Sequence, residues 1–555
     1  MNSFLKYINE DKNLRNIFLF IVVFIALVKI PSIIKADMQP WDEGLYATRV
    51  LSIHINGDFW NQSEHAVGKF YSASHPPLLI WVGYIFTLIF GMNAVSLKLI
   101  PFIASLVCIL LLMLIGKKLD NLRSGVFAAL IFSSTIIFNV FSKRYQFDIP
   151  FVMLVLFSFY FFLNYISSGK KSKLIFLGII FGLSLMIKIL VGFFIPIVIF
   201  LYYLLDKKRI NFTFKDFLLF ISIGIIIALP WHIYMILVYG KEFIDYFFSY
   251  HILDRALVGV EHNEKHSGPL YYFNYFLSIL PYGIILFSGL LSDFKNYRNL
   301  SSQKIFLYVW FFTGLIIISA FKTKLEAYTF FIIVPSSLII PSAINYIGQY
   351  SKKIKYIFSF LLILNIIWFL SYPDREHYKN VIVENISSAG LLFITIIIVS
   401  ILLFVYIIHK INYSNFIYGF IVIYFFIINT FYFYKMTEWE NNYHISECKT
   451  LIDISNKKKL IYVGTNYRYN AQFSFYFKGV DLGWKNNEYT YTLLDTKNGI
   501  VKIKEQLDSS INDYSTIIVE GDNINRNNLV NSALLIPDKF ELKLKTNGYE
   551  IFQKR

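Results

Sequence analysis

The sequence predicts an all-α polytopic membrane protein with about thirteen transmembrane helices and a small α/β extracytoplasmic domain at its C-terminal end. Three observations predict it. The chain has 555 residues, 56% of them hydrophobic, with a mean hydropathy of +0.54, whereas an average soluble domain is less than half apolar. Apolar runs of spanning length recur from residue 14 to residue 434. After Lys435 the chain turns polar and rich in Asn, Lys and Tyr, with short alternating, strand-like pieces.

Each element follows in order. Runs of roughly 17 to 25 apolar residues suffice to span a bilayer. They fall near 14–36, 95–116, 122–140, 148–166, 172–188, 190–205, 215–237, 269–291, 303–321, 326–347, 353–371, 387–408 and 415–434. The first lacks a small-residue cleavage site behind it, so it reads as a retained helix and not a signal peptide. Run 77–92 is shorter and begins with Pro76-Pro77. It reads as a half-buried or interfacial helix with Pro77 near its first turn.

The net charge is +16. Its Lys and Arg residues lie mostly in short loops between apolar runs, so they carry topology information and do not point to nucleic acid. Lys117-Lys118, Lys170-Lys171, Lys207-Lys208-Arg209, Lys295 to Lys304, Lys352-Lys353 and His409-Lys410 mark one side, the cytoplasmic one. The N-terminus then lies on the cytoplasmic side and the C-terminal domain outside. Residues 1–436 form the membrane domain, with outer loops 37–76 and 238–268, and residues 437–555 the outer α/β domain. Lys459 to Val463 and Thr516 to Glu520 read as strands, and Arg468 to Phe477 as a short helix. Cys108 lies in an apolar run and Cys448 in a polar region, so no disulfide is expected between them.

Two acidic sites fall at the predicted outer ends of spans. Asp42-Glu43 follows the first run, and Asp148 heads the run that begins near residue 148. Such carboxylates can cap a helix. They can also act as general bases on a hydroxyl or amine, since partial burial raises a carboxylate pKa toward the useful range. Lys143, Arg144, Lys188, Arg255, Lys322 and Lys324 share that face, where charge bias disfavours cations. Of these, Lys188, Arg255, Lys322 and Lys324, together with His75 and His251, can stabilise a phosphate leaving group without a metal. His262 and His266 stand four apart, a weak metal pair if helical. No Gly-rich phosphate loop, CxxC pair or HExxH motif is present.

An ordered set of short motifs carries a resemblance. It runs Asp42-Glu43-Gly44-Leu45-Tyr46-Ala47, His75-Pro76-Pro77-Leu78, Asp148-Ile149-Pro150, Ile187-Lys188-Ile189 and Pro230-Trp231-His232. It continues with His251 to Arg255, Lys324-Leu325-Glu326-Ala327-Tyr328 and Gln472 to Phe477. The chain resembles glycosyltransferase family 39 of the GT-C membrane glycosyltransferases. That group includes protein O-mannosyltransferases and the bacterial enzymes that move aminoarabinose from undecaprenyl phosphate to lipid A.

The resemblance implies a polyprenyl-phosphate sugar donor, membrane lipid surroundings and inverting transfer to a lipid, glycan or protein acceptor. It implies Asp42 as base, with Glu43 beside it and Asp148 positioning acceptor or base. It implies a donor phosphate site from Lys188, Arg255 and Lys324, with Tyr328 nearby, and His75 and Arg49 are added to it as candidates from their own positions. No cofactor is required by this reading, and a divalent metal at His251, His262 or His266 stays open. Two positions depart from the aminoarabinose branch. Leu45 stands where that branch has Arg, with Arg49 one helical turn on, and Ser74-His75 replaces its Glu-Lys. The aminoarabinose substrate is therefore not carried across. A transporter of a lipid-linked sugar is the alternative, although no inverted repeat is visible.

Overall fold

The structure is a computed structural model. It describes residues 12–64, 66, 67, 70, 74–258, 270–272, 282–347, 360, 417–426, 428, 429, 460–464, 471–477, 491–495, 516–520, 540–545 and 549–555. Among these, seven helices are long and apolar enough to cross a membrane: Leu14–Lys35, Ala94–Leu119, Asp148–Ser168, Ile189–Asp206, Phe214–Tyr239, Ser302–Ala320 and Glu326–Ile344. Of the other expected spans, 353–371 and 387–408 lie almost wholly outside the described residues, as does the boundary at 436.

Leu78–Phe90 is a helix of 13 residues. At 1.5 Å per residue it is about 20 Å long, too short for a hydrocarbon core of about 30 Å. Pro77 stands immediately before it, as expected. The apolar run 122–140 differs from expectation, because it is two helices, Leu122–Ser133 and Ile136–Phe141. Ser133, Ser134 and Thr135 each turn a hydroxyl back onto a carbonyl three or four residues earlier. Such local bonds compete with the helix ladder. Asn139 then receives the buried Lys29 ammonium from the first span, at 2.7 Å to Oδ1 and 2.9 Å to O. A cation inside a membrane helix is tolerated when paired in this way.

The bundle has a basic end. There Lys118 reaches Asn164 and Ser167, Lys171 pairs with Asp216 at 3.1 Å, Arg209 donates to the Leu300 carbonyl, and Lys304 pairs with Asp293 at 2.7 Å. Asp216 also closes a capping box with Thr213 at the start of Phe214–Tyr239. Two of these helices, Asp148–Ser168 and Lys171–Leu185, carry Asp148 and the Lys188 bend at their other ends.

In the C-terminal region five strands are described: β1 (Leu460–Gly464), β2 (Tyr491–Asp495), β3 (Thr516–Glu520), β4 (Phe540–Lys545) and β5 (Tyr549–Lys554). They form one sheet in the order β2-β1-β3-β5-β4. β1 is parallel to both neighbours, with Leu460 opposite Tyr491 and Thr516. β5 runs antiparallel to β3 and β4, with a bulge between Leu542 and Leu544. The helix Ala471–Phe477 lies in the crossover from β1 to β2 and buries Ala471, Gln472, Phe475 and Tyr476.

Candidate active site

Asp42 is the first residue of the helix Asp42–Asn56. One residue turns about 100° on a helix, and this separates the acidic pair: Asp42 is exposed and Glu43 is wholly buried. The Glu43 carboxylate gathers three segments. Oε2 accepts from the Gln39 N–H at 2.7 Å and from Lys98 Nζ at 3.1 Å, and Oε1 accepts from the Tyr145 N–H at 2.6 Å. Between them stands Trp41, held at φ 64° and ψ −130°. A bulky side chain at positive φ is strained and persists only where its surroundings over-determine it.

The Tyr145 N–H links this helix to the second acid. Tyr145 also donates its hydroxyl to the Leu79 carbonyl at 2.9 Å, reaching the short helix Leu78–Phe90. Phe147 packs on Tyr46 at 4.1 Å between centroids and lies parallel to the His75 ring at 6.0 Å. Asp148, the next residue, opens the helix Asp148–Ser168. Its carboxylate pairs with Lys188 Nζ at 2.7 Å, both groups partly exposed. Lys188 sits at the bend after Lys171–Leu185. The Leu78 N–H donates to the Met186 carbonyl there at 3.1 Å, so the short helix is fixed to the same bend.

Asp148 and Lys188 share a cavity with Tyr328, and its walls are apolar, among them Val191, Phe194 and Trp310. Its volume is about 450 Å³ including the open mouth. A cavity lined by an acid–base pair and apolar walls suits a molecule with an anionic head and a hydrocarbon tail.

Arg49 is buried, and donates through Nη2 to Gln62 Oε1 and to the His75 carbonyl, both at 2.8 Å. Its Nε and Nη1 bond no protein group. Burial lowers the guanidinium from 12.5 to about 10, so it stays cationic at neutral pH. Lys324 faces inward. Its ammonium donates to the carbonyls of Ile318 and Ser319, at 3.1 and 2.9 Å, in the last turn of Ser302–Ala320. It also stands 5.2 Å from the Tyr272 ring, and burial lowers its pKa. Tyr272 clamps the next residue, accepting from the Leu325 N–H at 2.8 Å and donating to the Leu325 carbonyl at 3.0 Å.

His251 and Arg255 fall on a π-helical segment, Tyr246–Val258, with side chains outside the described residues, and His262 and His266 lie wholly outside them. No group of three metal-ligating side chains is found among the described residues. The structure thus brings Asp148, Lys188 and Tyr328 to one cavity, and joins the Asp42 helix, the Arg144–Phe147 turn and His75 beside each other. Lys98, Tyr272 and Gln62 carry no motif in the sequence, whereas Tyr476 falls within Gln472 to Phe477. For Lys98 a signal existed, since a lone cation inside an apolar run demands a partner.

Comparison with known proteins agrees with this architecture. Residues 74–234 match the family model described as dolichyl-phosphate-mannose-protein mannosyltransferase. Across 96% of the chain the fold superposes on the crystal structure of ArnT from Cupriavidus metallidurans bound to undecaprenyl phosphate, covering 97% of that chain, with a TM-score of 0.70 at 14% identity. The archaeal oligosaccharyltransferase AglB from Archaeoglobus fulgidus superposes with a TM-score of 0.53 at 10% identity, over 97% of this chain and 74% of that one.

The chain therefore has the GT-C fold of membrane glycosyltransferases. Within that class it resembles the aminoarabinose transferases. It is 24% identical over 312 residues to the undecaprenyl phosphate-alpha-4-amino-4-deoxy-L-arabinose arabinosyl transferase of Pseudomonas aeruginosa, an alignment covering 55% of each chain. An uncharacterized protein of Aquifex aeolicus is 28% identical over 332 residues, 58% of this chain and 71% of the relative.

Proposed function

We propose that the protein is a membrane glycosyltransferase that takes its sugar from a polyprenyl phosphate and passes it to an acceptor on the outer face of the membrane. The observation that carries this reading is the cavity in which Asp148, Lys188 and Tyr328 stand over apolar walls. The Lys188 ammonium holds the donor phosphate, Tyr328 lies against it, and the polyprenyl tail follows the apolar wall. Asp148 aims Lys188 through their 2.7 Å contact.

Asp42 is the general base. Its carboxylate takes the proton of the acceptor hydroxyl or amine, and the freed electron pair attacks the anomeric carbon. The bond from that carbon to the phosphate oxygen breaks on the opposite face, inverting the centre. Polyprenyl phosphate leaves with the bonding pair, its added charge stabilised by Lys188. A preorganised cation in a water-poor site is worth more here than in bulk water.

Glu43 belongs to the scaffold of the base, because its buried carboxylate holds the Gln39 and Tyr145 N–H groups and the Lys98 ammonium. Arg49 holds the His75 turn from behind. Arg255 remains a second candidate ligand for the donor phosphate, on sequence grounds. The reaction as written routes no step through a metal. The sugar and the acceptor are set by pocket shape, which the motifs do not encode.

The test uses purified protein in lipid, with radiolabelled polyprenyl-phosphate sugars and a membrane acceptor extract. Wild type should transfer label and Asp42→Asn should not. Labelled lipid that crosses the bilayer unconsumed would replace this reading with that of a flippase.

A further inference from the structure

We infer that the C-terminal domain is a working part of the catalytic site, and that Tyr476 is a positioning residue for Asp42. The inference rests on the proposed role of Asp42 as base and goes beyond it, assigning a task to the helix Ala471–Phe477 of the C-terminal region.

Two contacts join the helix Ala471–Phe477 to the base. The Tyr476 hydroxyl accepts from the Met38 N–H at 2.7 Å, across 438 residues of sequence, with both groups buried. The backbone of Gln472 meets Gly44, two residues after Asp42. A Cβ at position 44 would lie 2.4 Å from the Gln472 nitrogen and 2.7 Å from the Ala471 carbonyl carbon. That distance is closer than any side chain can sit, so a glycine there is what admits the helix.

The turn from Met38 to Trp41 needs such support. Pro40 offers no N–H, and Trp41 is held at φ 64°. Several bonds hold it. Glu43 accepts from the Gln39 N–H, the Gly44 and Leu45 N–H groups donate back to the Gln39 and Trp41 carbonyls, and Gln39 Nε2 donates to the Asp37 carbonyl. The Tyr476 hydroxyl reaches the turn from the C-terminal region by accepting from the Met38 N–H. It thereby helps to set where the turn, and Asp42 just after it, stands. A strained residue relaxes when one of its restraints is removed, and a base displaced by about 1 Å loses on the order of a hundredfold in rate.

The test is Tyr476→Phe, which keeps the ring and its packing and removes only the hydroxyl. Hydrogen exchange is followed in a peptide covering residues 36–45, alongside kcat and donor KM. The expected result is faster exchange in that peptide and a kcat lower by about tenfold or more. Donor KM should stay within about twofold, because Asp148, Lys188 and Tyr328 are untouched. Gly44→Ala, which pushes the helix away, should give the same split. Unchanged exchange overturns the inference, as does a fall in kcat without faster exchange, which would make Tyr476 a substrate contact. A matching loss of donor affinity also overturns it, since that reports general loosening. If wild type consumes no polyprenyl-phosphate donor, the reading of the reaction has failed. Exchange then still decides whether Tyr476 holds the turn.

Discussion

Lys98 and Glu43 meet at 3.1 Å with both side chains shut off from solvent. Neither could be buried alone, since an unpaired charge in the interior costs several kcal/mol. The pair fastens the helix of the proposed base to Ala94–Leu119, and through the Tyr145 N–H to the turn that precedes Asp148. The one buried Glu43 carboxylate thus links the segments that carry both acids.

Breaking it from one side should be severe. Lys98→Met leaves Glu43 buried without its counterion and should destabilise the fold by about 3–5 kcal/mol. The double variant Lys98→Met with Glu43→Gln removes both charges and should recover most of that loss. Thermal unfolding of the two variants in lipid reads the difference. A single variant as stable as wild type would show that the pair is not sealed.

Lys188 and Lys324 should behave oppositely. Lys324 ties off the end of Ser302–Ala320, where a cation meets the partial negative charge of the last carbonyls. Lys324→Met should therefore cost about 1–2 kcal/mol of stability and leave donor affinity within about twofold. Lys188→Met should weaken polyprenyl-phosphate binding by about tenfold or more, as expected for a lost charge-assisted contact, with little effect on unfolding. Lipid binding and unfolding midpoints of the two proteins check this.

His54 should make stability depend on pH. Its ring bonds Thr87 at 2.8 Å and packs on Tyr84, and burial lowers its pKa below 6.5. The unfolded chain therefore takes up this proton first as pH falls. The contribution is complete above about 6.5 and is lost progressively below it. The unfolding midpoint of wild type should drop more between pH 7.5 and pH 5 than that of His54→Gln. Equal drops would remove His54 from the account.

Gln472 carries a cost. It is fully buried, and neither amide atom pairs with another protein group. An unsatisfied buried amide costs about 1–3 kcal/mol. Gln472→Leu, of similar size, should raise the unfolding midpoint by about 1–2 °C. A lower midpoint would show that the amide is needed.

Much of this was legible in the sequence, for local reasons. Asp42 and Asp148 begin helices because each stands where an apolar run meets a polar turn, and Lys188 marks a bend because it interrupts a long apolar stretch. The strand Thr516–Glu520 announces itself by β-branched residues. The failures are nonlocal. Run 122–140 looks continuous by hydropathy, yet its Ser and Thr hydroxyls and the Asn139–Lys29 contact divide it. Lys324 shares the outer face with the expected phosphate ligands, and its bonds to carbonyls five and six residues back follow from the end of a neighbouring helix. Lys98 lies inside an apolar run, and its partner Glu43 stands 55 residues away. The tie from Tyr476 to Met38 spans the whole membrane domain, and no local pattern encodes it.

In the proposed reaction Asp42 takes the proton while the Asp148–Lys188 cavity holds the phosphate. Undecaprenyl-phosphate binding and sugar transfer, measured together in Asp42→Asn, separate the two roles. The expected result is binding as tight as wild type and no detectable transfer. Transfer at the wild-type rate by Asp42→Asn would contradict it.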